Sequence, residues 1–458
     1  MSKARWFLPI ALLLLLAPPA QARKRPPELT RIRCVPATSA TCKSGVKVVI
    51  GKQLQFSGKR ITKGMRVSFR WSTGALATKL EHTRTGYTAR VPAGTRAGSV
   101  NVTVSDRAGR RSNAIKITVT APPRVTPGPT IAPGTLPDAF KGNGMWIWEL
   151  PKAEGGNVAA IAARAHAAGI ATVFVKSSDG GSSRWAQFSP DLVAQLHANG
   201  LRACAWQFVY GDDPLGEAAL GADAVAAGAD CLVIDAETKY EGKYHQAQQY
   251  MAALRAAIGP NYPLGLTSFP YVDYHPKLPF SVFLGPGGAQ ANLPQVYWRD
   301  IGATVDAASG HTLAHNRIYG VPIAPLGQTY QDPPADEIAR FRSLWTAYGA
   351  GGISWWSWQH TTEAGWAALT QPLATLPVPP PDPGWPPLAR NSKNDQVIWL
   401  QQHLASADPS VTVTGTFDAA TDTALRNFQA ARGIPVSGET DALTWQAVLA
   451  LPVQPVTW

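Results

Sequence analysis

The chain of 458 residues lacks the features of several common protein classes. Only 16% of it is charged and 45% is hydrophobic, which excludes a disordered chain. After the N-terminal segment, no run reaches the roughly 18 unbroken apolar residues that a membrane-spanning helix needs. It contains neither a Gly-rich phosphate loop nor a Gly-x-Ser-x-Gly elbow, which argues against the chemistries tied to those motifs. The length therefore predicts a globular protein of about two to four domains.

Cysteine is scarce, with four residues in the whole chain. Cys34 and Cys42 are close in sequence, and an exported chain permits a disulfide between them. Cys204 and Cys231 each lie in an apolar run of strand length, where buried free thiols are the favoured interpretation. The sequence leaves the redox state of both pairs open. None of the four has the spacing of metal ligands.

The N-terminus has the order of a secretory signal. Lys3 and Arg5 precede an apolar run from Trp6 to Ala17, and the small residues from Ala20 to Ala22 follow. The run is too short to span a bilayer as a stable helix, and a retained anchor is the alternative. Residues 1–22 are therefore predicted to be removed, which leaves an exported chain without a transmembrane anchor.

Acidic residues are nearly absent from the front of the chain. Residues 23–136 contain 22 Lys and Arg against 3 Asp and Glu, whereas residues 137–458 contain 18 against 27. The net charge of +12 thus combines a strongly basic segment with an acidic remainder. Such a segment is attracted to polyanions, among them anionic wall polymers, lipid head groups and shed nucleic acid. A solvated basic surface without a partner is the alternative, and no dedicated nucleic-acid site is predicted.

Proline-rich stretches mark the predicted domain boundaries. Residues 121–136 and 377–387 cannot form continuous helix or sheet, so they are predicted to be stiff, extended linkers. They separate residues 23–120, 137–376 and 388–452, which differ in their hydrophobic patterns.

Residues 23–120 show short runs of alternating polar and apolar residues, separated by Gly, Ser and Asn. Such alternation indicates strands with one face buried and the other exposed to solvent, which predicts an all-β sandwich. The stretch VPAGTRAGSVNVTVSDRAGRRSN, from Val91 to Asn113, resembles the Ig-like module known as IPT/TIG. The resemblance implies a spacer or an adhesive domain without chemistry of its own.

Residues 137–376 alternate apolar runs of strand length with Ala-rich helical stretches. Eight such strands in this span match an α/β fold of the (β/α)8 TIM-barrel type in count and size. An open, doubly wound sheet is the alternative. Its first strand is usually followed by a Gly-rich phosphate-binding turn, and the stretch WIWELPKAEGG at the end of the first run does not fit that turn.

Two carboxylates lie at the end of the fourth run of this segment, CLVIDAETK. Barrel enzymes hold their catalytic residues at the C-terminal ends of the strands, and Asp235 and Glu237 point to the same face there. Their Cα atoms are expected to be about 6.6 Å apart, so the side chains can bracket one glycosidic bond. Two close carboxylates also raise one pKa, which makes one of them a usable acid. Alternatively, Asp235 caps the next helix or pairs with Lys176 across neighbouring strands, and Glu237 is solvated.

Aromatic, amide and charged side chains at the other strand ends complete the candidate site. Aromatic rings stack on the apolar faces of sugars, while amides and carboxylates bind the hydroxyl groups. The predicted substrate-binding residues are Trp148, Glu149, Lys176, Gln207, Tyr210, Tyr271, Gln295, Tyr297, Trp298, Trp356, Trp358 and Gln359.

The D-x-E of strand four, the stretch VKSSDG and the ending WSWQHT resemble the barrel-type lysozymes, or muramidases. That family cleaves between N-acetylmuramic acid and N-acetylglucosamine in peptidoglycan. The resemblance implies that Glu237 is the general acid, with Asp235 beside it as nucleophile, base or charge stabiliser. The family's Gly-x-Asp-x-Ser on strand one is missing, and Glu149 is the one carboxylate there. A related glycosidase, or a barrel that binds sugar without cutting it, stays an alternative.

His311 and His315, in HTLAH, have the i, i+4 spacing of two metal ligands on a helix. No carboxylate accompanies them in the sequence as a metal site would need. The sequence therefore predicts no metal site and no cofactor.

Residues 388–452 carry apolar residues at helical spacing, which predicts a small all-α unit of three helices. This unit resembles the peptidoglycan-binding domain attached to many wall hydrolases, which implies binding of wall glycan or stem peptide. A domain that has kept the fold and lost its ligand is the alternative. The matching positions are Val397, Leu400, Gln401, Leu404, Gly415, Phe417, Thr421, Phe428, Gln429, Gly438, Thr444 and Trp445.

Taken together, these segments predict a secreted, extracellular protein associated with the cell wall. It binds peptidoglycan through its C-terminal domain and hydrolyses wall glycan with its barrel, as a glycoside hydrolase of the muramidase type. Its basic front segment is drawn to anionic wall polymers. The alternative is a non-catalytic wall-binding protein that uses the barrel as a carbohydrate platform.

Overall fold

The chain forms two compact units, which divide between Pro122 and Pro123. The predicted signal segment and Cys42 lie outside the described residues. Within the described part of the chain, no helix is long and apolar enough to cross a membrane. The computed structural model describes residues 25–35, 47–49, 53–83, 86–92, 95–120, 134–373, 376 and 380–458.

The first unit consists of β-strands in two sheets, with the strand orders β1-β3-β7-β6 and β2-β9-β8-β4-β5. One hydrophobic cluster joins them, with Leu54 and Phe56 from the first sheet and Val67, Val102 and Val104 from the second. The sheets agree with the predicted strands, but the Ig-like sandwich and its IPT/TIG identity are not confirmed. The strands are β1 (Glu28–Val35), β2 (Lys47–Val49), β3 (Gln53–Lys59), β4 (Arg66–Trp71), β5 (Gly74–Lys79), β6 (Glu81–Thr83), β7 (Gly86–Arg90), β8 (Gly98–Ser105) and β9 (Ile115–Thr120).

The second unit begins with an eight-stranded parallel barrel, as predicted. Strand β10 pairs with both β11 and β18, so the sheet closes and the open-sheet alternative is wrong. The short β12 is added antiparallel to β11. The strands are β10 (Gly142–Ile147), β11 (Ile170–Asp179), β12 (Ser183–Arg184), β13 (Arg202–Val209), β14 (Cys231–Ala236), β15 (Leu264–Ser268), β16 (Ala291–Val296), β17 (Leu326–Gln328) and β18 (Gly352–Trp356).

Helices surround the barrel and connect successive strands. They are α1 (Val158–Ala167), α2 (Pro190–Ala198), α3 (Pro214–Ala226), α4 (Tyr244–Ile258), α5 (Phe280–Phe283), α6 (Trp298–Ile301), α7 (Val305–Asn316), α8 (Ala335–Ala347) and α9 (Glu363–Thr370).

The inside of the barrel is a packed core of its own. Side chains alternate along each strand, and Phe174, Trp206 and Val233 belong to this inner cluster. Intervening residues such as Leu232 and Ile234 pack outward in the cluster that includes the helices. Because Asp235 is two residues after Val233, the same alternation places its side chain at the end of the inner core.

Cys204 and Cys231 form a disulfide inside the barrel, so the expectation of two free thiols is wrong. They are directly opposite each other on β13 and β14, their Cα atoms are 4.7 Å apart, and both are fully buried. The two cysteines are 27 residues apart in the sequence, so only the register between β13 and β14 reveals that they are in contact. Cys34 is also disulfide-bonded. Disulfides agree with the prediction of an exported chain.

Replacing Cys204 and Cys231 together by alanine is expected to lower the free energy of unfolding by about 2–4 kcal/mol. The cross-link closes a loop of 27 residues, so its removal increases the conformational entropy of the unfolded chain. Urea unfolding of the oxidised wild type, the reduced wild type and the double variant measures the effect. Equal midpoints for all three proteins would contradict it.

The C-terminal segment has the three predicted helices. Val397, Leu400 and Trp445 are buried in its core, and the Asn394 side chain caps the first helix by accepting a hydrogen bond from the Val397 amide. The helices are α10 (Asp395–Ala407), α11 (Ala419–Arg432) and α12 (Ala442–Leu449).

The three-helix segment packs directly on the barrel. The indole Nε1 of Trp399 donates to the carbonyl of Ile318 at 2.7 Å, and Asp395 accepts hydrogen bonds from Ser281 and Tyr319. The two therefore share buried contacts and form one compact unit.

The second proline-rich segment also lies on the barrel. The Arg317 guanidinium is 4.0 Å from the ring centre of Trp385 and forms an ion pair of 2.7 Å with Asp382. The part described there, residues 380–387, therefore does not act as the extended spacer that the sequence predicts. Proline excludes helix and sheet, but it does not exclude packing against a neighbouring surface.

Candidate active site

Asp235 and Glu237 come together at the mouth of the barrel with Gln295. The Gln295 Nε2 atom, at the end of β16, donates to Asp235 Oδ1 at 3.1 Å and to Glu237 Oε1 at 3.0 Å. One amide that serves both carboxyl groups holds them close together. Asp235 is 6% exposed and Glu237 is partly exposed, so Glu237 is the more accessible of the two.

The environment of Asp235 favours its protonated form. Burial is the main cause that raises its pKa well above the usual value, and the charge of Glu237 and a hydrogen bond with Glu237 raise it further. The charge of Lys176 acts in the opposite direction. The pair therefore retains a proton to a higher pH than two separate carboxyl groups would.

The structural alternatives for Asp235 do not match the observed contacts. Lys176 forms its ion pair with Asp179, at 2.5 Å, instead of with Asp235. Strand β13 lies between β11 and β14, so Lys176 and Asp235 are not on neighbouring strands as that alternative assumed. Asp235 does not cap a helix either, because the 3-10 turn Thr238–Tyr240 has Glu237 at its N-cap and no side-chain cap.

Asp179 was not selected from the sequence, yet it joins the site through Lys176 and Tyr210. The Tyr210 hydroxyl donates to Asp179 Oδ1 at 2.7 Å, which together with burial raises the pKa of Tyr210 to about 12. The pairing of β11 with β13 shifts register between Lys176 and Ser178. Such a bulge changes which side chains share a face, so the alternation that selects Lys176 does not by itself select Asp179.

Several aromatic rings lie close to the ammonium group of Lys176. Its ammonium group is 4.6 Å from the ring centre of Trp185, 4.9 Å from Trp206 and 5.8 Å from Trp148. Trp185 and Trp206 were not among the predicted residues. Alternation along β13 turns Trp206 inward together with Cys204, so the sequence pattern could have identified it. Trp185 lies just beyond β12, where no sequence pattern indicated that it would reach the site.

Tryptophans form the rim of the mouth on the side of β10 and β18. The ring centre of Trp356 is 5.5 Å from that of Trp206 and 6.3 Å from that of Trp148. Trp148 is 38% exposed and Trp356 is partly exposed, so both present aromatic surface to solvent. Gln359 accepts a hydrogen bond from the Trp148 amide at 3.3 Å, which holds this rim in place.

Two further predicted residues lie at the same end of the barrel. Burial and the charge of Asp235 raise the pKa of Tyr297, whose ring packs edge-on against Tyr330 at 5.3 Å. Glu149 follows β10 and forms an ion pair with Lys152 at 2.8 Å. Tyr297 is thus close to the carboxyl pair, while Glu149 has a surface partner.

Gln207 does not reach the mouth of the barrel. It lies between the inward residues Trp206 and Phe208, so alternation turns it outward against α3. There it is fully buried, and its Nε2 atom donates to the carbonyl of Glu217 at 3.1 Å. Its placement in the substrate site was therefore wrong.

Trp298 and Trp358 also lie away from the mouth, in the packing between the barrel and its helices. Trp298 stacks on Phe341 at 5.2 Å and donates from Nε1 to a carboxylate oxygen of Glu337. Trp358 packs edge-on against Trp366 at 4.8 Å. Both are buried, because the chain turns into a helix directly after each strand end.

Tyr271, which was predicted to bind substrate, packs against side chains of helix α7 and of its own loop. Its ring centre is 4.0 Å from that of His311 and 5.3 Å from that of Tyr274. It lies in the loop after β15, which carries it toward helix α7.

Comparison with known proteins assigns a family to the C-terminal segment. Residues 393–448 match the family model described as a putative peptidoglycan binding domain. No curated protein matches the chain. The match covers all of α10 and α11 and most of α12, in agreement with the predicted resemblance.

Solved structures similar to this chain include several carbohydrate-cleaving enzymes. The spore cortex-lytic enzyme SleL of Bacillus cereus is 11% identical, with a TM-score of 0.39 over 50% of this chain and 73% of that one. A chitinase from Chromobacterium violaceum is 15% identical, with a TM-score of 0.38 over 52% and 100%. The endo-β-1,4-mannanase of Thermotoga petrophila is 9% identical, with a TM-score of 0.39 over 49% and 69%. At these identities, the function of the barrel has to be inferred from its own side chains.

Proposed function

We propose that the protein is an exported glycoside hydrolase that cleaves the glycan strands of peptidoglycan, in the manner of a muramidase. The observation that carries the proposal is the Asp235–Glu237 pair, bridged by Gln295 at a barrel mouth whose rim carries the exposed Trp148 and the partly exposed Trp356. Glycoside hydrolysis needs a carboxyl group that protonates the glycosidic oxygen and negative charge that stabilises the sugar cation formed as the bond breaks. The carboxyl pair at the barrel mouth offers both from one side of the bond, next to aromatic surface on which sugar rings stack.

Glu237 is the general acid in this proposal. It is the more exposed carboxyl group, so it can reach the glycosidic oxygen of a bound chain. Asp235 is buried behind it and shares a proton with it, so the pair can supply that proton and then stabilise the positive charge that develops on the sugar. Tyr210, Tyr297 and Lys176 offer hydrogen-bond donors around the pair.

The C-terminal domain supplies the attachment to the wall. Its match to the peptidoglycan-binding family supports a second contact with the same polymer. Because the domain is packed on the barrel, the two sites keep a constant spacing, and binding at one raises the effective concentration of glycan at the other. The attraction of the basic N-terminal unit to anionic wall polymers stays a prediction.

Digestion of purified cell walls tests the proposed activity. We expect the wild-type chain to lower the turbidity of a wall suspension and to release new reducing ends. Mass spectrometry of the products, with N-acetylmuramic acid at the reducing end, would identify a muramidase. Binding to the walls without any new reducing ends would overturn the proposal and favour a non-catalytic wall-binding protein.

The activity is expected to fall as the pH rises through the raised pKa of Asp235. Above that pH the pair loses the proton that the leaving oxygen needs. In the Asp235→Asn variant this carboxyl group is absent, so the alkaline limit of any remaining activity moves to lower pH. Rates of reducing-end release between pH 4 and pH 9 measure both profiles. An unchanged alkaline limit in the variant would exclude Asp235 from the shared proton.

A further inference from the structure

Helix α7 and the loop after β15 bring two histidines and one aspartate together. His311 Nε2 is 2.7 Å from Asp273 Oδ1, and His315 Nδ1 is 3.7 Å from the same oxygen. One ligand atom from each residue lies within 4.8 Å of the other two. Among the residues that the structure describes, no other group of three or more such side chains converges in this way.

We propose that His311, His315 and Asp273 bind a divalent transition-metal ion of the zinc type. Two imidazole nitrogens and one carboxylate oxygen are a common ligand set for zinc and neighbouring transition metals, whereas magnesium and calcium prefer oxygen ligands alone. Three protein ligands leave one position of a tetrahedral site for water.

The backbone already places the two histidines as such a site requires. The spacing of four residues sets them on one face of α7, and their rings are stacked with centres 4.5 Å apart. The sequence lacked a nearby carboxylate, which was the reason for expecting no metal here. The fold supplies Asp273, 38 residues before His311.

Only side-chain rotation is needed to complete the coordination. Ligand atoms at bonds of about 2.1 Å in a tetrahedral zinc site are about 3.4 Å apart. The two contacts of Asp273 Oδ1, at 2.7 and 3.7 Å, lie on either side of that value. All three side chains are partly exposed, so an ion can enter from solvent.

The surroundings of the cluster fit a structural role between the barrel and the C-terminal domain. The side chain of Gln396, on α10, is 3.3 Å from His315 Nδ1, and its Nε2 atom donates to the His315 carbonyl at 3.1 Å. Tyr271 packs against His311 at 4.0 Å on the other side. An ion at this position would hold the histidine that Gln396 contacts, and so would stabilise the docking of the C-terminal domain.

Metal titration of the full chain, produced without a histidine tag and stripped with a chelator, tests the proposal. We expect wild type to bind one Zn²⁺ per chain by calorimetry, and Co²⁺ with the visible absorption of a low-coordinate nitrogen and oxygen site. Asp273→Asn and His311→Gln are expected to bind Zn²⁺ at least tenfold more weakly. Asp273→Asn keeps the size of the side chain, which limits the risk of misfolding.

His197→Gln is the matched control. His197 Nε2 contacts Asp230 at 2.8 Å, so it is also a histidine paired with an aspartate, but it belongs to no such cluster among the described residues. This variant is expected to keep the wild-type affinity. The proposal is overturned if wild type binds no stoichiometric Zn²⁺, or if the cluster variants bind it as tightly as His197→Gln does.

Discussion

Replacing Glu237 by glutamine is expected to lower the rate of reducing-end release from cell walls by about 10²–10⁴-fold. Glutamine keeps the size of the side chain, and its amide oxygen can still accept the hydrogen bond from Gln295. It cannot deliver a proton to the leaving oxygen. Wall binding should be unchanged, because the C-terminal domain does not take part in the chemistry. Parallel assays of clearing, reducing ends and sedimentation with walls separate the two effects.

Glu363→Gln is the control for this experiment. Glu363, at the start of α9, is an exposed carboxylate that forms an ion pair with Arg164 at 2.8 Å and was not placed in the candidate site. Its removal is expected to change the rate by less than about threefold, because a surface ion pair contributes little. Equal activity of wild type and Glu237→Gln would remove Glu237 from the mechanism and, with it, the assignment of the acid.

The second large effect is expected at Asp395, where the C-terminal domain docks on the barrel. Its carboxylate accepts hydrogen bonds from the Ser281 amide at 2.8 Å, the Ser281 hydroxyl at 2.6 Å and the Tyr319 hydroxyl at 2.7 Å. Burial outweighs these bonds and raises the pKa of Asp395 from 3.8 to about 6. The folded chain therefore binds this proton more tightly than the unfolded chain does.

This difference makes the stability of the docked domain depend on pH. The stabilising contribution of protonated Asp395 is complete below about pH 4 and is lost as the pH rises through about 6. A shift of about two pKa units corresponds to about 3 kcal/mol. Asparagine does not titrate, so the difference in unfolding free energy between wild type and Asp395→Asn should shrink by about this amount from pH 4 to pH 8.

Urea unfolding of the intact chain between pH 4 and pH 8 measures this dependence. Glu439→Gln is the control, since it removes an exposed carboxylate of the same domain that lies outside the docked interface. A difference between wild type and Asp395→Asn that stays constant with pH would show that folding does not raise the pKa of Asp395.

Local patterns predicted which segments form strands and helices and where the carboxyl pair lies. Alternation along a strand predicted that Asp235 and Glu237 lie close together, and both side chains accept a hydrogen bond from Gln295. The same alternation shows why the assignment of Gln207 to the substrate site was wrong. Gln207 follows the inward-facing Trp206, so its side chain faces α3. The bulge after Lys176 could not be predicted, because it depends on how β11 pairs with β13.

Contacts between segments distant in the chain were the main source of error. The Cys204–Cys231 disulfide, the bridge from Gln295 to the carboxyl pair, and the carboxylate that joins His311 and His315 all connect different strands or loops. Each depends on strand order and register, which hydrophobic periodicity does not encode.

By itself, the sequence determined the alternation of strands and helices, the three-helix C-terminal segment and the two acids at the end of the fourth barrel strand. These features follow from the periodicity of burial and from short motifs, which act over a few residues. Only the tertiary structure decided which side chains meet at the mouth of the barrel, which cysteines pair, and that the C-terminal domain lies on the barrel. The reason is that closure of the sheet and burial of Asp395 are set by packing between segments up to hundreds of residues apart.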